Sequence, residues 1–524
     1  MKRLSLCRIA VVCLGLTCCS GAFAASPESG GLDLTFNVKI YPSDGGERDS
    51  FTSSLDISGD TIVSTSREDD TVIGGEDSGS AYVLERDPLT GEWAETARLF
   101  PFDGQEHDYF GESVAIGGDV IAVGTDRREA VYIYERDAGG VGAWGFTARL
   151  EAADGAPGVE FGWEVDLTDD GSQLAVAAVG KPNGIAGWVY IFERDELGAF
   201  QQVAKFGPSD GENGDTFGWG VGLRGSGGRV VVGAYLKDED TGGAYVFDRD
   251  ELGSWNETAI LSASDGDAGD KYGIAVAIDD DTVLVGASHD ADQEFRTGSV
   301  YVHELNAATG VWEETAKLVP FDPGERAFYG RCVAIFGNVI VIAAPGDDDL
   351  ALVGGAAYLY RRDEGGAGNW GFAYKTDGVD SIERDRYAYS LAMDNHDLLV
   401  GSDRDNNPEI VKTGSLYAYT VIEEPTLSVS GSCPGSVTMD VEHAAPGGRV
   451  RLALGQVEGA FEIQNGICSG TVLGLQTPQL FAPVAVDADG KATFVRNLPA
   501  SACGGLLQAL DMGNCLVSGI VTLP

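Results

Sequence analysis

The chain has 524 residues, of which 82 are Asp or Glu and only 35 are Lys or Arg, so its formal net charge at pH 7 is −47. This acidity excludes nucleic acid as a partner, because phosphate backbones are bound by clusters of Lys and Arg. Beyond the N-terminus no stretch approaches the roughly 20 apolar residues of a membrane-spanning helix, so we expect no transmembrane segment.

Residues 1–24 have the pattern of a secretory signal peptide. A basic head precedes an apolar run at residues 9–16, and the small-residue cleavage signal Ala22-Phe23-Ala24 follows. The apolar run is too short for a membrane anchor. Lipidation at Cys18 or Cys19 fits poorly, because the residues before them are not Gly, Ala or Ser. We expect cleavage near Ala24 and a mature protein that is secreted, periplasmic or held at the cell surface.

An aromatic-led motif returns seven times after the leader, at intervals of 51 to 59 residues. Such a period is typical of a repeat architecture. Each unit predicts four short strands that are rich in Val, Ile and Tyr and bounded by Gly, Asp and Asn; in the second unit they are 110–116, 120–123, 130–134 and 144–150. The motif aromatics are Phe51, Phe110, Phe161, Phe217, Tyr272, Tyr329 and Tyr387.

No window has helical periodicity, so we predict an all-β chain with a seven-bladed β-propeller at residues 33–422. Each third strand carries a Tyr, and most fourth strands open with an aromatic residue that should pack between blades; sugar stacking is the alternative. The tyrosines are Tyr82, Tyr132, Tyr190, Tyr245, Tyr301, Tyr358 and Tyr417, and the fourth-strand aromatics are Trp93, Trp144, Phe200, Trp255, Trp312 and Trp370.

The two ends of the repeat region complement each other. The seventh unit supplies three strands and ends near Tyr419 without a fourth. Residues 35–40 form an orphan strand before Ser43-Asp44-Gly45, just as a fourth strand precedes Ser264-Asp265-Gly266. We therefore predict that residues 35–40 complete the seventh blade and close the ring, which removes an exposed sheet edge.

Residues 425–524 break the period and carry little net charge. Short alternating stretches predict a small β-sandwich-like domain. Its cysteines are Cys433, Cys468, Cys503 and Cys515, an even set that in an exported protein predicts two disulfides. Three pairings are possible, of which we favour the first with the second and the third with the fourth. Cys332, alone in the repeats, is predicted to fill space beside the core.

The repeat motif resembles the FG-GAP repeats of integrin-α-like propellers in their bacterial secreted form. The first half of the motif is a Phe-Gly or Tyr-Gly pair at Phe110, Phe161, Phe217, Tyr272 and Tyr329, and the second half appears at Gly233-Ala234, Gly286-Ala287 and Ala343-Ala344-Pro345. The resemblance covers about residues 33–422. It implies a seven-bladed propeller that is used for adhesion or protein binding and not for catalysis.

The resemblance does not extend to calcium. Integrin-like blades hold Ca²⁺ in a long Asp-rich loop between their first two strands. Here the corresponding joints, such as 117–119 and 279–282, have three or four residues. So short a hairpin cannot wrap the six to eight oxygens that Ca²⁺ prefers.

Acidic residues cluster in the joints between strands two and three and in those between one unit and the next. In an antiparallel meander these joints share one face, so we predict a strongly anionic face that binds a protein, glycan or cation ligand, although Asp also favours turns by itself. The EF-hand-like start at 265–270 lacks the closing Glu. The candidates for weak Ca²⁺ binding are Asp265, Asp267, Asp270, Asp347, Asp348 and Asp349.

No catalytic pattern stands out in the sequence. Gly220, Gly222 and Gly225 have the dinucleotide-binding spacing, but no helix follows them. The five histidines are scattered without metal-ligand spacing. We therefore predict a binding or adhesion protein with no catalytic residues and no certain cofactor. The alternatives are a polysaccharide-active hydrolase or lyase on a propeller scaffold and a structural surface component.

Overall fold

A computed structural model describes residues 32–523, with gaps in the repeat region at 126, 156–157, 180–185, 224, 226, 367, 407–409 and 424–425. Further gaps in the C-terminal part lie at 432–434, 443–448, 456–457, 464–467, 469–471, 476–477, 487–490, 499–501, 503–504, 513–516 and 519–520. The predicted signal peptide falls outside the described residues. Within them, no helix has the length and apolar character needed to cross a membrane.

The described part of residues 32–423 forms seven four-stranded antiparallel sheets, each a propeller-like blade. The first strand, β1 (Leu32–Ile40), joins the last sheet. Sheet 1 contains β2 (Phe51–Ser58), β3 (Thr61–Ser66), β4 (Ser80–Arg86) and β5 (Trp93–Leu99). Sheet 2 contains β6 (Val114–Gly117), β7 (Val120–Thr125), β8 (Ala130–Glu135) and β9 (Gly145–Leu150). Sheet 3 contains β10 (Phe161–Leu167), β11 (Gln173–Ala178), β12 (Trp188–Arg194) and β13 (Phe200–Phe206).

Sheet 4 contains β14 (Val221–Leu223), β15 (Arg229–Ala234), β16 (Gly243–Arg249) and β17 (Trp255–Leu261), with the short helix α1 (Lys237–Asp240) between its second and third strands. Sheet 5 contains β18 (Tyr272–Asp279), β19 (Thr282–Ala287), β20 (Ser299–Asn306) and β21 (Val311–Leu318). Sheet 6 contains β22 (Val333–Phe336), β23 (Val339–Ala344), β24 (Ala356–Arg362) and β25 (Trp370–Thr376). Sheet 7 contains β26 (Tyr387–Asp394), β27 (Asp397–Ser402), β28 (Ser415–Glu423) and β1.

The N-terminal strand pairs antiparallel with β28, from Leu32 opposite Glu423 to Ile40 opposite Leu416. It therefore occupies the fourth-strand position of sheet 7. The first strands contact one another in the order β2, β6, β10, β14, β18, β22 and β26, and β26 in turn contacts β2.

The core lies between neighbouring sheets. Second strands such as β3, β7 and β11 are buried along their whole length, because each sheet is covered on both faces by its neighbours. Fourth strands such as β5 and β17 alternate between exposed and less exposed residues, since they form the outer edge. One core cluster joins Val63 and Val83 of sheet 1 to Phe110 and Ile121 of sheet 2.

The motif aromatics form the repeating centre of this core. Each ring is at most 1% exposed and meets the third-strand Tyr of its own sheet edge to face, with ring centroids 5.0–5.6 Å apart. The glycine after the aromatic allows close approach to the preceding sheet. Gly111 has φ +97°, and a Cβ there would lie 2.7 Å from Thr65 Cβ.

Carboxylates on the inner strands connect neighbouring sheets. Because each first strand is an edge strand, its outward N–H groups need acceptors. Asp56 accepts the Ile116 N–H at 2.8 Å, and Asp166 accepts the Leu223 N–H at 2.6 Å. Asp394 of sheet 7 accepts a backbone N–H of sheet 1 in the same way. These carboxylates have a structural role.

The outer rim carries a second connection between sheets. The Arg that ends a third strand pairs with an acidic residue of the preceding sheet, as Arg194 does with Glu135 at 2.5 Å. The equivalent pair between Arg86 and Asp397 joins sheet 1 to sheet 7. Four of these arginines cover a fourth-strand aromatic of their own sheet; the Arg86 guanidinium, for example, lies 4.4 Å from the centroid of Trp93. The rim tryptophans therefore serve packing, as predicted.

The described C-terminal residues form three small sheets. The first contains β29 (Thr426–Gly431), β30 (Gly435–Glu442) and β36 (Ala492–Leu498). The second contains β31 (Arg449–Gly455), β34 (Gln479–Leu480), β35 (Val484–Ala485), β37 (Leu506–Asp511) and β38 (Val521–Thr522), and the third contains β32 (Glu458–Glu462) and β33 (Val472–Leu475). The first two share a core that includes Val437, Phe494 and Leu452. Cys468 is buried, whereas Cys433, Cys503 and Cys515 lie outside the described residues, so the disulfide pairing stays a prediction.

Candidate functional site

The loop that leads from one sheet to the first strand of the next, which we call the entering loop, contains one recurring contact. In every sheet the third-strand Tyr hydroxyl donates to an Asp of the entering loop, at 2.7–3.2 Å. This contact explains the recurring Asp-Gly turns of the sequence. The acceptors, from sheet 1 to sheet 7, are Asp44, Asp103, Asp154, Asp210, Asp265, Asp322 and Asp380.

A basic side chain neutralises each of these aspartates. In six sheets this basic residue belongs to the fourth strand and is paired directly with the third-strand Tyr. In sheet 5, Lys317 Nζ lies 2.7 Å from Asp265, 2.9 Å from Asp290 and 2.7 Å from Asp292. The fourth-strand bases are Arg98, Arg149, Lys205, Lys317, Lys375 and Lys39, and in sheet 4 Lys237 of the preceding loop takes this role at 3.1 Å from Asp210.

The predicted metal candidates are divided among these clusters. Asp265 contacts Lys317, and Asp347 and Asp349 contact Lys375 at 3.2 and 2.7 Å. The Asp270 carboxylate accepts the Asp267 N–H at 2.7 Å. Asp348 and the Asp267 side chain are exposed. Within the described residues no group of three or more His, Cys, Asp and Glu side chains is arranged to hold a metal ion. Weak Ca²⁺ binding therefore stays a prediction, and it would have to compete with lysine.

A cavity of about 530 Å³ lies between the inner strands of all seven sheets. Its lining at the end nearest the entering loops comes from the position two residues after each motif aromatic. This position differs in chemical type from sheet to sheet, whereas the motif keeps an aromatic residue in all seven sheets and a following glycine in five. The seven residues are Ser53, Glu112, Trp163, Trp219, Ile274, Arg331 and Tyr389.

Aromatic rings cover one side of this end of the cavity. The Trp163 and Trp219 centroids are 4.6 Å apart, and Trp219 meets Tyr235 at 4.6 Å. All three side chains are half-buried. Lys271 Nζ lies 5.3 Å from the Tyr235 centroid. The result is a continuous aromatic surface with an ammonium group at its edge.

The opposite side carries paired charges. Arg67 donates to Glu112 at 3.1 Å. Arg386 stacks on Tyr389 at 4.1 Å and pairs with Asp403 at 3.2 Å. Arg67 and Arg386 also line a neighbouring pocket of about 130 Å³ together with Arg48, Arg404 and Lys412. Five basic side chains therefore line this neighbouring pocket, together with Glu68 and Asp403.

Arg331 differs from these arginines because its side chain has no hydrogen bond or ion pair within the described part of the chain. Its charge acts on its surroundings. Burial, assisted by Lys271, Arg296 and Arg331, lowers the pKa of His289 to about 4, so this imidazole is neutral at physiological pH. We call Glu112, Trp163, Trp219, Arg331 and Tyr389, with Glu164, Tyr235 and Lys271, the axial mouth.

Glu164 is the carboxyl group of the axial mouth whose pKa is strongly shifted. Burial, aided by Asp166 and Glu112 and opposed by Arg331, raises the pKa of its carboxyl to about 8. At neutral pH the group is therefore largely protonated and can donate a hydrogen bond into the cavity. Sequence reasoning missed this residue and the rest of the axial mouth. The available signal was the variation between repeats at the second and third positions after the motif aromatic.

The chain belongs to the FG-GAP repeat family and is an FG-GAP β-propeller protein. The family model matches residues 34–84, 93–139, 144–192, 200–247, 255–303 and 312–360. Each match runs from the fourth strand of one sheet to the third strand of the next. The strands β26 to β28 lie beyond the last match, so the seventh sheet is identified by its hydrogen bonding and not by the family pattern.

Solved structures with a related chain path share little sequence with this protein. The β-propeller domain of Cps50 (Swd1) from Myceliophteria thermophila has 10% identity and a TM-score of 0.47, with 74% of this chain and 99% of that chain covered. A Bacteroides fragilis protein described as a candidate 6-phosphogluconolactonase has 11% identity and a TM-score of 0.43, with coverage of 63% and 85%. No functional conclusion follows from similarities this distant. No curated protein matches the chain.

Proposed function

We propose that this protein is an exported bacterial binding protein of the adhesion type, which uses the axial mouth of a closed seven-bladed propeller to engage its ligand. The contacts between β26 and β2 and the pairing of β1 with β28 support the closed ring. The predicted signal peptide supports export. The C-terminal residues would then form a separate domain that is pinned by disulfides.

The aromatic surface of the axial mouth is the observation that carries this proposal. Buried aromatics elsewhere in the repeats recur at fixed positions and pack against their own sheet or the next. Trp163 and Trp219 break that pattern, because they stand half-buried in the lining of the cavity, where Tyr235 packs against Trp219 from behind the lining. Aromatic side chains with one exposed face are enriched where proteins bind ligands and partners.

A capture experiment with two tryptophan variants tests the proposal. The mature protein would be immobilised and incubated with surface material released from the producing cells. We expect Trp219→Ala to lose most of the captured material. Trp312→Ala, which removes a rim tryptophan that packs under Arg229 at 4.9 Å, should retain it. Melting curves would show that both variants are folded. Equal capture by all three proteins would overturn the proposal.

A polysaccharide-active hydrolase or lyase is the second candidate, and Glu164 is the observation that favours it. A carboxyl whose pKa is about 8 and which faces a cavity can serve as a general acid near neutral pH. The test is depolymerisation of surface polysaccharide by the mature protein and by Glu164→Gln. Product release that Glu164→Gln abolishes would establish the enzyme, and no release by the wild type would eliminate it.

A further inference from the structure

The axial mouth is cationic in a strongly acidic chain. Glu112 is already neutralised by Arg67, and Glu164 is largely protonated at neutral pH. Within the described residues neither Arg331 nor Lys271 forms an ion pair, and Lys271 Nζ lies 5.3 Å from the Tyr235 centroid. These two basic groups are therefore left without a carboxylate, whereas the bases that meet the entering-loop aspartates are each held by at least one Asp.

The cavity has the size and lining of a small-molecule site. Its volume of about 530 Å³ lies within the usual range of ligand pockets, which combine aromatic walls with a few polar groups. A pyranose ring matches such a wall, because its axial C–H bonds form an apolar face that packs on the electron-rich face of an aromatic ring. The Trp163 and Trp219 indoles provide that surface beside Arg331.

We propose that the axial mouth binds a carboxylate-bearing saccharide unit, a uronate, with its ring against Trp163 and Trp219 and its carboxylate on the Arg331 guanidinium. Guanidinium groups bind carboxylates through two parallel hydrogen bonds. Protonated Glu164 donates a further hydrogen bond and does not repel the ligand. This inference rests on the proposed binding function and adds the ligand class.

The periphery of the same face restricts the ligand further. Exposed carboxylates such as Asp238, Asp267 and Asp348 surround the axial mouth at the loop tips. A long polyanion would pass close to them and be repelled, whereas one acidic unit at a chain end reaches Arg331 without that cost. A terminal uronate on an otherwise neutral glycan therefore fits better than a uniformly acidic polymer.

The test is calorimetric titration of the mature protein with two probes, a glucuronate-terminated disaccharide and the matching glucose-terminated disaccharide. We expect the uronate probe to bind, and Arg331→Ala to weaken it by at least about tenfold, as expected for loss of a charge-assisted hydrogen bond. Arg331→Lys should recover part of the affinity. Trp219→Ala should weaken both probes, and Lys412→Met, which removes a basic side chain of the neighbouring pocket, should weaken neither.

Four outcomes overturn the inference. Equal affinity for both probes, or an unchanged uronate affinity in Arg331→Ala, removes the carboxylate–Arg331 contact. No uronate binding combined with Trp219-dependent capture of surface material overturns the ligand class and leaves the proposed function standing. If Trp219→Ala changes neither the capture of surface material nor the affinity for the disaccharides, the ligand class and the proposed function are both overturned. Melting curves of each variant would separate these results from unfolding.

Discussion

Lys39 connects the N-terminal strand to sheet 7, and its removal should destabilise the propeller strongly. Lys39 Nζ lies 2.5 Å from Asp405 and 2.9 Å from Asp380. Asp405 is only 5% exposed, whereas Asp380 is 53% exposed. Lys39→Met retains most of the side-chain length and removes the ammonium group. The buried Asp405 carboxylate would then keep only the hydroxyl donors Ser415, at 2.5 Å, and Tyr417, at 3.1 Å.

The magnitude follows from the burial of Asp405. Removing one partner of a buried ion pair costs about 3–5 kcal/mol, because the other charge stays desolvated. The exposed Asp380 adds little. Burial by itself would lower the pKa of Lys39, but hydrogen bonds to Asp405 and Asp380 outweigh it and hold the pKa above its usual value of 10.5. The stabilisation is therefore complete below pH 10.5 and is lost as the pH rises above it.

The assay is urea unfolding of the mature protein, followed by both tryptophan fluorescence and circular dichroism so that partial unfolding of the repeats is detected. Lys412→Met is the matched control, since Lys412 is exposed and has the same charge. In the double variant Lys39→Met/Asp405→Asn the loss should be smaller than the sum of the single losses. A loss below about 1 kcal/mol for Lys39→Met, within the range of an exposed pair, would refute the reasoning.

Three further predictions concern other side chains of the propeller. Lys317→Met leaves the carboxylates of Asp265, Asp290 and Asp292 together without their ammonium partner. Millimolar Ca²⁺ should therefore raise the melting temperature of this variant more than that of the wild type. Equal shifts in the two proteins would contradict this prediction. Asp166→Ala should lower the free energy of unfolding in urea by about 1–3 kcal/mol, because the Leu223 N–H loses its acceptor. Asp267→Ala, at an exposed residue, should lower it by less than about 0.5 kcal/mol. Similar losses for the two variants would contradict this prediction. Burial raises the pKa of Glu164 from 4.5 to about 8, so its ionisation destabilises the fold as the pH rises through this interval. The melting temperature of Glu164→Gln should therefore fall less between pH 5 and pH 9 than that of the wild type. Parallel curves of melting temperature against pH would refute this.

The repeat and its core could be predicted because each unit repeats the same local physics. The motif aromatics and third-strand tyrosines meet within their own sheets, at a sequence separation that the period makes visible. Strand boundaries were less predictable. The first strand of sheet 2 was expected from Phe110 but begins at Val114, although the equivalent strands of sheets 3 and 5 do begin at the motif aromatic. Similarly, Trp144 lies just before β9 and does not open it.

The neutralised aspartates and the axial mouth were beyond sequence reasoning. The acidic loops predicted an anionic face, but Lys317 meets Asp265 only because it is in register with Tyr301. Trp163 and Arg331 belong to sheets 3 and 6, and only the arrangement of the inner strands around one cavity brings them to the same end of it. In the sequence, each occupies an ordinary position two residues after a motif aromatic.

The most direct test of the account is an experimental structure of the mature protein with the glucuronate-terminated disaccharide. We expect the sugar ring to lie against Trp163 and Trp219, with its carboxylate oxygens about 2.7–2.9 Å from the Arg331 guanidinium. A sugar bound only at the acidic loop tips, with the axial mouth empty, would contradict it.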